Sequence, residues 1–410
     1  MEMVGRFGER VFRVKILCVL GEHQYGDPSR GVATEYAAFL PALRRLGFEV
    51  IHFESWDRSC FRDFADLNRS LLDTVERERP NVLLSVQLHY EIWLETLEII
   101  KARGDVATVC WTTDDSWKYD EFSRIVGRAY HAMTTTYEHV LPAYHRDGIN
   151  NVLLTQWAAN AETLQEPLPA SACRFKVSFV GAAHGDRRKR VSALRSAGIE
   201  VSCFGHGWPA GSVGAERIAE IMRESVISLN FSNSKGLNQI KARTFEVPGA
   251  GGFLLSEEAL RLTEFYTPGK EIETFSNMDE LVDKIKYFLS HPEDRNRIAY
   301  AGFERTKLEH TYDARMKEVV NFSVRALGDS KALNEKVVPP SFADACARHR
   351  FGFFLKAIRL ALVLPCSMIW GKARGRRAAR RILFEISWRL FPRITYSAAG
   401  WPGRLFYKES

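Results

Sequence analysis

Short apolar runs alternate with amphipathic stretches along most of the chain. Residues 14–20, 49–53, 81–87 and 106–111 are compact apolar runs that read as strands. Between them, 32–46, 61–78 and 91–103 carry apolar side chains at helical spacing. Strand and helix patterns continue through 131–135 and 151–156. The alternation then restarts: strands at 175–180, 201–204, 226–230 and 253–256, and helices at 187–197, 215–223, 238–247, 279–290 and 292–309. Strands that alternate with helices of this length predict parallel sheets covered on both faces. The restart predicts two such domains, residues 1–165 and 173–327, joined near Pro167 and Pro169. No residue-level repeat relates the halves, so any duplication is architectural. Two open α/β domains place ligand outside the carboxyl ends of their strands.

Residues 328–340 read as a linker to a different kind of segment. The 410 residues carry a formal net charge of +7. From 341 to 410 there are fourteen Lys/Arg and three Asp/Glu, a net of +11, which leaves −4 for residues 1–340. The tail is apolar from Phe351 to Trp370, then basic at Lys372, Arg374, Arg376, Arg377, Arg380 and Arg381, then aromatic to Tyr407. Lys356, Arg359 and Pro365 interrupt the apolar run, which argues against a spanning helix. Such a tail suits a helix lying in the interface of an anionic membrane; packing on the rest of the chain or on a partner protein is the alternative. Nucleic acid ranks third, because no nucleic-acid module accompanies the patch.

The overall composition, 46% hydrophobic and 26% charged, excludes fibrous and wholly disordered classes. Seven scattered cysteines without a C-x-x-C pair indicate neither a zinc ribbon nor a disulfide framework, and fit a reducing, cytoplasmic compartment. The run at 16–20 is too short for a secretory signal.

Candidate chemistry gathers at strand ends. Ser178-Phe179-Val180-Gly181-Ala182-Ala183-His184-Gly185-Asp186-Arg187-Arg188 is a strand, a small-residue loop and a helix start. Gly181 lets backbone approach a ligand, and Arg187 or Arg188 supplies a fork for phosphate oxygens; a tight turn with a solvated basic cluster is the alternative. In the helix expected at 238–247, Gln239, Arg243 and Glu246 share a face and Lys241 points away. A guanidinium and a carboxylate one turn apart suit a nucleoside diphosphate, the cation meeting phosphate and the carboxylate accepting from ribose; a surface ion pair is the alternative. His89 follows the third strand, and Asp114 and Asp115 follow the fourth. Each could orient a sugar hydroxyl or accept a proton from an acceptor; the alternatives are a helix-entry histidine and N-capping aspartates. Asp114-Asp115 is not a D-x-D pair, so no metal site is expected.

Arg243-Thr244-Phe245-Glu246-Val247-Pro248-Gly249-Ala250-Gly251-Gly252-Phe253-Leu254-Leu255-Ser256-Glu257 resembles the C-terminal signature of CgeB-like glycosyltransferases. So do Gly269-Lys270-Glu271-Ile272, His310-Thr311-Tyr312 and the Phe204-Gly205-His206-Gly207-Trp208 pattern. The resemblance covers roughly residues 175–320 and implies a GT-B fold, two facing Rossmann-like domains. It also implies a nucleoside-diphosphate sugar as donor, held by the second domain, and transfer with retention that needs neither metal nor further cofactor. By the same resemblance Glu246 lies near the donor ribose and Arg243 faces the diphosphate, with Arg187 or Arg188 reaching it from the first loop. His206 borders the nucleobase or simply makes a turn. The family pattern carries a glutamate where this chain has Asn238. In the first domain Gly31 closes a loop, 21–31, that in such enzymes lies against donor phosphates or acceptor; an ordinary surface loop is the alternative. The expected acceptor is a glycan or lipid-linked precursor at the inner face of the cell membrane. A non-catalytic nucleotide-sugar-binding protein and a nucleotide-sugar epimerase are the competing readings.

Overall fold

The computed structural model describes residues 14–88, 91–211, 213–231, 239–332, 338–391 and 401–406. It divides into two compact units, Met1–Thr155 with Lys317–Ser410, and Gln156–Met316. The chain therefore crosses between units twice, where a simple succession of domains would cross once.

The first unit is built on a six-stranded parallel sheet of order β2-β1-β3-β4-β5-β6. Its strands are β1 (Lys15–Leu20), β2 (Glu49–Glu54), β3 (Val82–Ser85), β4 (Ala107–Trp111), β5 (Ala132–Thr135) and β6 (Val152–Leu154). The helices between them are α1 (Thr34–Arg45), α2 (Phe64–Glu78), α3 (Leu94–Ala102), α4 (Asp115–Lys118), α5 (Arg124–Val126) and α6 (Leu141–Arg146). β1, β3 and β4 are buried almost throughout, which is why they read as continuous apolar runs rather than alternating ones. Strand order reverses between β1 and β3, so the loops after these two strands diverge and open a crevice.

The second unit repeats the principle with five parallel strands in the order β11-β10-β9-β7-β8. They are β7 (Phe175–Val180), β8 (Ser202–Phe204), β9 (Ser225–Asn230), β10 (Leu254–Glu257) and β11 (Glu273–Phe275). Around them lie α7 (Arg187–Ser196), α8 (Ala215–Arg223), α9 (Arg243–Gly249), α10 (Leu262–Phe265), α11 (Met278–Ser290) and α12 (Pro292–Glu309). Here the reversal falls between β7 and β9. Arg295 of α12 is fully buried and is satisfied by the carbonyls of Val226, Leu168 and Ser225 at 2.7–2.8 Å. It ties the segment that enters this unit to the start of β9.

Two expectations change. The helix expected at 238–247 begins at Arg243; Gln239 and Lys241 precede it, the lysine bonding Gln239 Oε1 at 3.3 Å, so Gln239 does not share its face. The linker expected at 328–340 begins as helix, because α13 (Tyr312–Ala332) runs through its first five residues; 333–337 lie outside the described residues.

Beyond it, α14 (Phe342–Arg348) packs on the helix layer of the first unit, where Ala345 is buried with Phe64 and Trp93. His349 stacks on Trp93 with ring centroids 4.2 Å apart and pairs with Glu95 at 2.9 Å. The rest is a hairpin. α15 (Phe353–Leu390) breaks at Gly371, whose φ of 75° is left-handed. Its two arms and α16 (Trp401–Leu405) share a small core of Val363, Cys366, Ala379, Leu383, Leu405 and Phe406. A Cβ on Gly375 would overlap the backbone of Cys366 and Ser367, so that glycine permits the close approach of the arms. Contrary to the expectation from Lys356, Arg359 and Pro365, Phe353–Lys372 is long and apolar enough to cross a membrane by length and composition. Lys356 and Arg359 lie in its first two turns and Lys372 at its end, leaving the turns between uncharged.

Candidate functional site

In the second unit the carboxyl ends of β7 and β8 are knitted together by backbone. Gly181 N–H donates to Phe204 O at 2.8 Å and Ala183 N–H to His206 O at 2.9 Å. Trp208 Nε1–H closes the turn onto Gly181 O at 2.8 Å. Gly205 adopts a φ of 128°, and a Cβ there would overlap the Gly181 carbonyl. The Phe-Gly-x-Gly-Trp pattern is thus a device that holds the loop after β7 against the loop after β8.

Onto this frame the chain places two guanidinium groups at the point where strand order reverses. Arg187, at the start of α7, donates to Ala182 O at 3.0 Å and to Phe231 O at 3.1 Å, bridging the ends of β7 and β9. Its Nε–H is buried and has no hydrogen-bond partner among the described residues. Arg243, the first residue of α9, donates from Nε to Val180 O at 3.1 Å and forms an ion pair with Glu246. Burial lowers the Arg187 value, and burial together with the Arg187 charge brings Arg243 down to about 10. Guanidinium groups held on neighbouring backbone carbonyls have the chemistry to receive an anion.

The neighbouring groups are arranged by the same helix. Arg188 is exposed, lies 5.7 Å from the Trp208 ring centroid and bonds the Gly207 carbonyl. Arg190 pairs with Asp186 and with buried Glu257, each at 2.8 Å. Beside it a cavity of about 280 Å³ opens at the ends of β10 and β11, lined by Arg190, Glu257, Phe275 and Asn277. His206 is exposed in its turn. Gly181, Arg187, Arg188, His206, Arg243 and Glu246 therefore all stand at the strand-end side of this unit. Of the two residues that complete the setting, Glu257 closes the signature run of the sequence without being singled out there, and Phe231 carried no sequence signal beyond its place at the end of an apolar run.

The first unit is less uniform. His89 lies outside the described residues. Asp115 is buried and accepts hydroxyl donors from Thr112 at 2.8 Å, Tyr144 at 2.7 Å and Ser123. That binding gives it a structural task, fastening α4 to β4 and α6. Asp114 is half-buried at the entry to α4 without capping it. Its charge, with burial as the larger cause, raises the carboxyl of Glu35 in the first turn of α1. Sequence reading missed Glu35, which shows only as one polar residue in a helical pattern. Gly31 has a φ of 85° and stands exposed. The tighter positions of its loop are Gly21 and Gly26, where a Cβ would overlap Trp56. Trp56 is itself fixed by Nε1–H donation to Val86 O at 2.9 Å. Among the described residues no three His, Cys, Asp or Glu side chains gather as metal ligands.

Residues 187–321 match a family model described as glycosyl transferase-like. No curated protein matches the chain. Solved structures share the fold at low identity. Sucrose-phosphate synthase from Thermosynechococcus elongatus superposes with a TM-score of 0.52 at 10% identity, covering 77% of this chain and 100% of that one. A glycosyltransferase of avilamycin A biosynthesis gives 0.50 at 11% identity, with 77% and 98% covered. A glycosyltransferase from Rickettsia africae ESF-5 gives 0.50 at 9%, with 77% and 99% covered. The architecture is the GT-B fold.

Proposed function

We propose that the chain is a glycosyltransferase that moves a sugar from a nucleoside-diphosphate donor to a hydroxyl of a glycan or lipid-linked acceptor. One observation carries the reading: the Arg187–Arg243 pair at the strand reversal of the second unit, with Glu246 one turn on. The two cations receive the diphosphate. Glu246, while paired with Arg243, keeps lone pairs for the ribose hydroxyls, and the cavity lined by Arg190 and Glu257 takes a further part of the donor. In the reaction the bond between the anomeric carbon and the diphosphate oxygen breaks, and the acceptor oxygen bonds that carbon. The hydroxyl proton leaves to a base or to the departing diphosphate. Negative charge grows on the leaving oxygen, so fixed guanidinium donors stabilise the transition state more than the ground state. The glycosyl transferase-like match, which starts at Arg187 and includes Arg243 and Glu246, supports the assignment. Retention and the CgeB-like affiliation rest on the sequence resemblance.

The test is a thermal-shift panel of UDP-, GDP- and dTDP-sugars, followed by product analysis with the donor that binds. A donor that binds only the folded state raises the melting temperature. Because cationic side chains carry the leaving-group charge, turnover should persist in excess EDTA. Complete loss, restored by a divalent ion, would refute that part of the reading. The anomeric configuration of the product, read by NMR, tests retention. Product formed without acceptor would indicate an epimerase instead.

A further inference from the structure

The C-terminal hairpin has two outward faces of opposite chemistry. On the first arm, residues 353–370, the inward side packs in the hairpin core, and Arg359 is turned inward with it, 5.2 Å from the Phe406 ring centroid. The outward side repeats at helical spacing as Phe353, Leu360, Leu364 and Met368, with Phe353 89% and Met368 81% exposed. Exposed Lys356 borders the stripe between Phe353 and Leu360, and from Leu360 to Met368 no charge interrupts it. On the second arm the exposed stripe is Arg374, Arg377 and Arg381, again at spacings of three and four. Trp388 follows at its end.

We propose that this hairpin seats on a bilayer that bears anionic lipid, the first arm's stripe entering the acyl boundary and the second arm's arginines meeting lipid phosphate. The dimensions agree. Packed helices lie about 8–10 Å apart, and an interfacial helix sinks its apolar face roughly 5–10 Å. With the first arm at that depth, the second lies at the level of the headgroups, where long arginine side chains reach phosphate oxygens. Charge selects this occupant over others. A second copy of the hairpin would bring a like-charged arm to the interface. Nucleic acid would satisfy the arginines and leave the Phe353–Met368 stripe in water. The inference is independent of the glycosyl-transfer reading, because its test uses neither donor nor acceptor.

The experiment is sedimentation of the full-length chain with vesicles of phosphatidylcholine alone and of phosphatidylcholine with 30 mol% phosphatidylglycerol (~30%, enough to charge the surface). Binding to the charged vesicles is expected to be stronger, and to weaken as salt rises. Phe353→Glu with Met368→Glu, both at exposed positions, should abolish binding to either vesicle. Arg374→Glu, Arg377→Glu and Arg381→Glu together should cut binding to charged vesicles by about a hundred-fold or more. A melting temperature equal to the native chain's shows that each variant is folded. The proposal is overturned if the native chain ignores both vesicles, if the Phe353/Met368 variant binds as well as the native chain, or if charged and neutral vesicles bind alike. It is overturned equally if the chain bypasses vesicles and binds duplex DNA, or if the stripe substitutions only dissociate a dimer.

Discussion

Arg243 and Arg187 hold adjacent positive charges whose proton affinities are depressed mainly by desolvation. Such a pair is stabilised by an incoming dianion, which makes it the sharpest place to test the proposed chemistry. Arg243→Ala should lower turnover by about a hundred-fold, while Arg243→Lys, which keeps charge and loses the planar fork, should fall between it and the native enzyme. Steady-state kinetics with the identified donor checks both. Glu35 makes a different prediction. Its raised value means that the folded chain holds a proton more tightly than the unfolded chain. The resulting stability is fully present below the ordinary glutamate value and is lost as pH rises through the raised one. Glu35→Gln should therefore melt higher than the native chain at pH 8 (about 8, well above the ordinary glutamate range), with the gap closing near pH 4 (about 4). A melting series across that range decides it. Neither residue's environment is legible in sequence: Arg187 and Arg243 stand 56 positions apart in the chain, and the charge that adds to the burial of Glu35 comes from Asp114, beyond β4. Asp115 shows the same gap, since its donors Thr112, Ser123 and Tyr144 meet only in the folded unit.

Elements, by contrast, announce themselves where one face or both faces are buried. β1, β3, β4, β7 and β9 are read correctly because central parallel strands must be apolar throughout. β11, a three-residue strand that pairs with β10 alone, escapes. The segment from α4 to α5 also escapes, since a π-turn at Tyr119–Ser123 interrupts the 3.6-residue period. The start of α9 is misjudged because polar residues before Arg243 continue a helical spacing that the backbone does not follow. What sequence does expose is the glycine code of the loops after β7 and β8. Gly205 both occupies a left-handed φ and leaves room for the Gly181 carbonyl. Gly205→Ala should push the two loops apart, tilt Gly181 and Arg187 from their places, and weaken donor binding by about tenfold or more. Gly198, also at positive φ but with open space around its Cβ position, is the control: Gly198→Ala should cost stability and leave donor binding unchanged. Titration of the thermal shift with donor separates the two effects.

At the scale of the whole molecule, the tail combines two segments with different tasks. Residues 341–350 cover Phe64 and Trp93 and pair His349 with Glu95, so they belong to the stability of the first unit. Residues 351–410, whose described part forms the hairpin, carry twelve Lys/Arg against two Asp/Glu, a net of +10. A chain ended after Arg350 therefore changes from +7 to −3 and should pass from cation-exchange to anion-exchange retention at neutral pH. Its first unit keeps the α14 cover, and its second unit keeps Arg187, Arg243 and Glu246, so the melting temperature and the donor-induced shift should both stay near native. A chain ended ten residues earlier, after Pro340, loses the cover as well. Exposing the apolar surface around Trp93 and removing Phe342 and Ala345 should cost about 2–3 kcal/mol, read as a lower denaturation midpoint at unchanged donor affinity of whatever remains folded. If both truncations melted alike, α14 would contribute nothing to the first unit, and the boundary between body and appendage would belong at 340. Melting and ion-exchange elution of the two chains, run side by side, place that boundary.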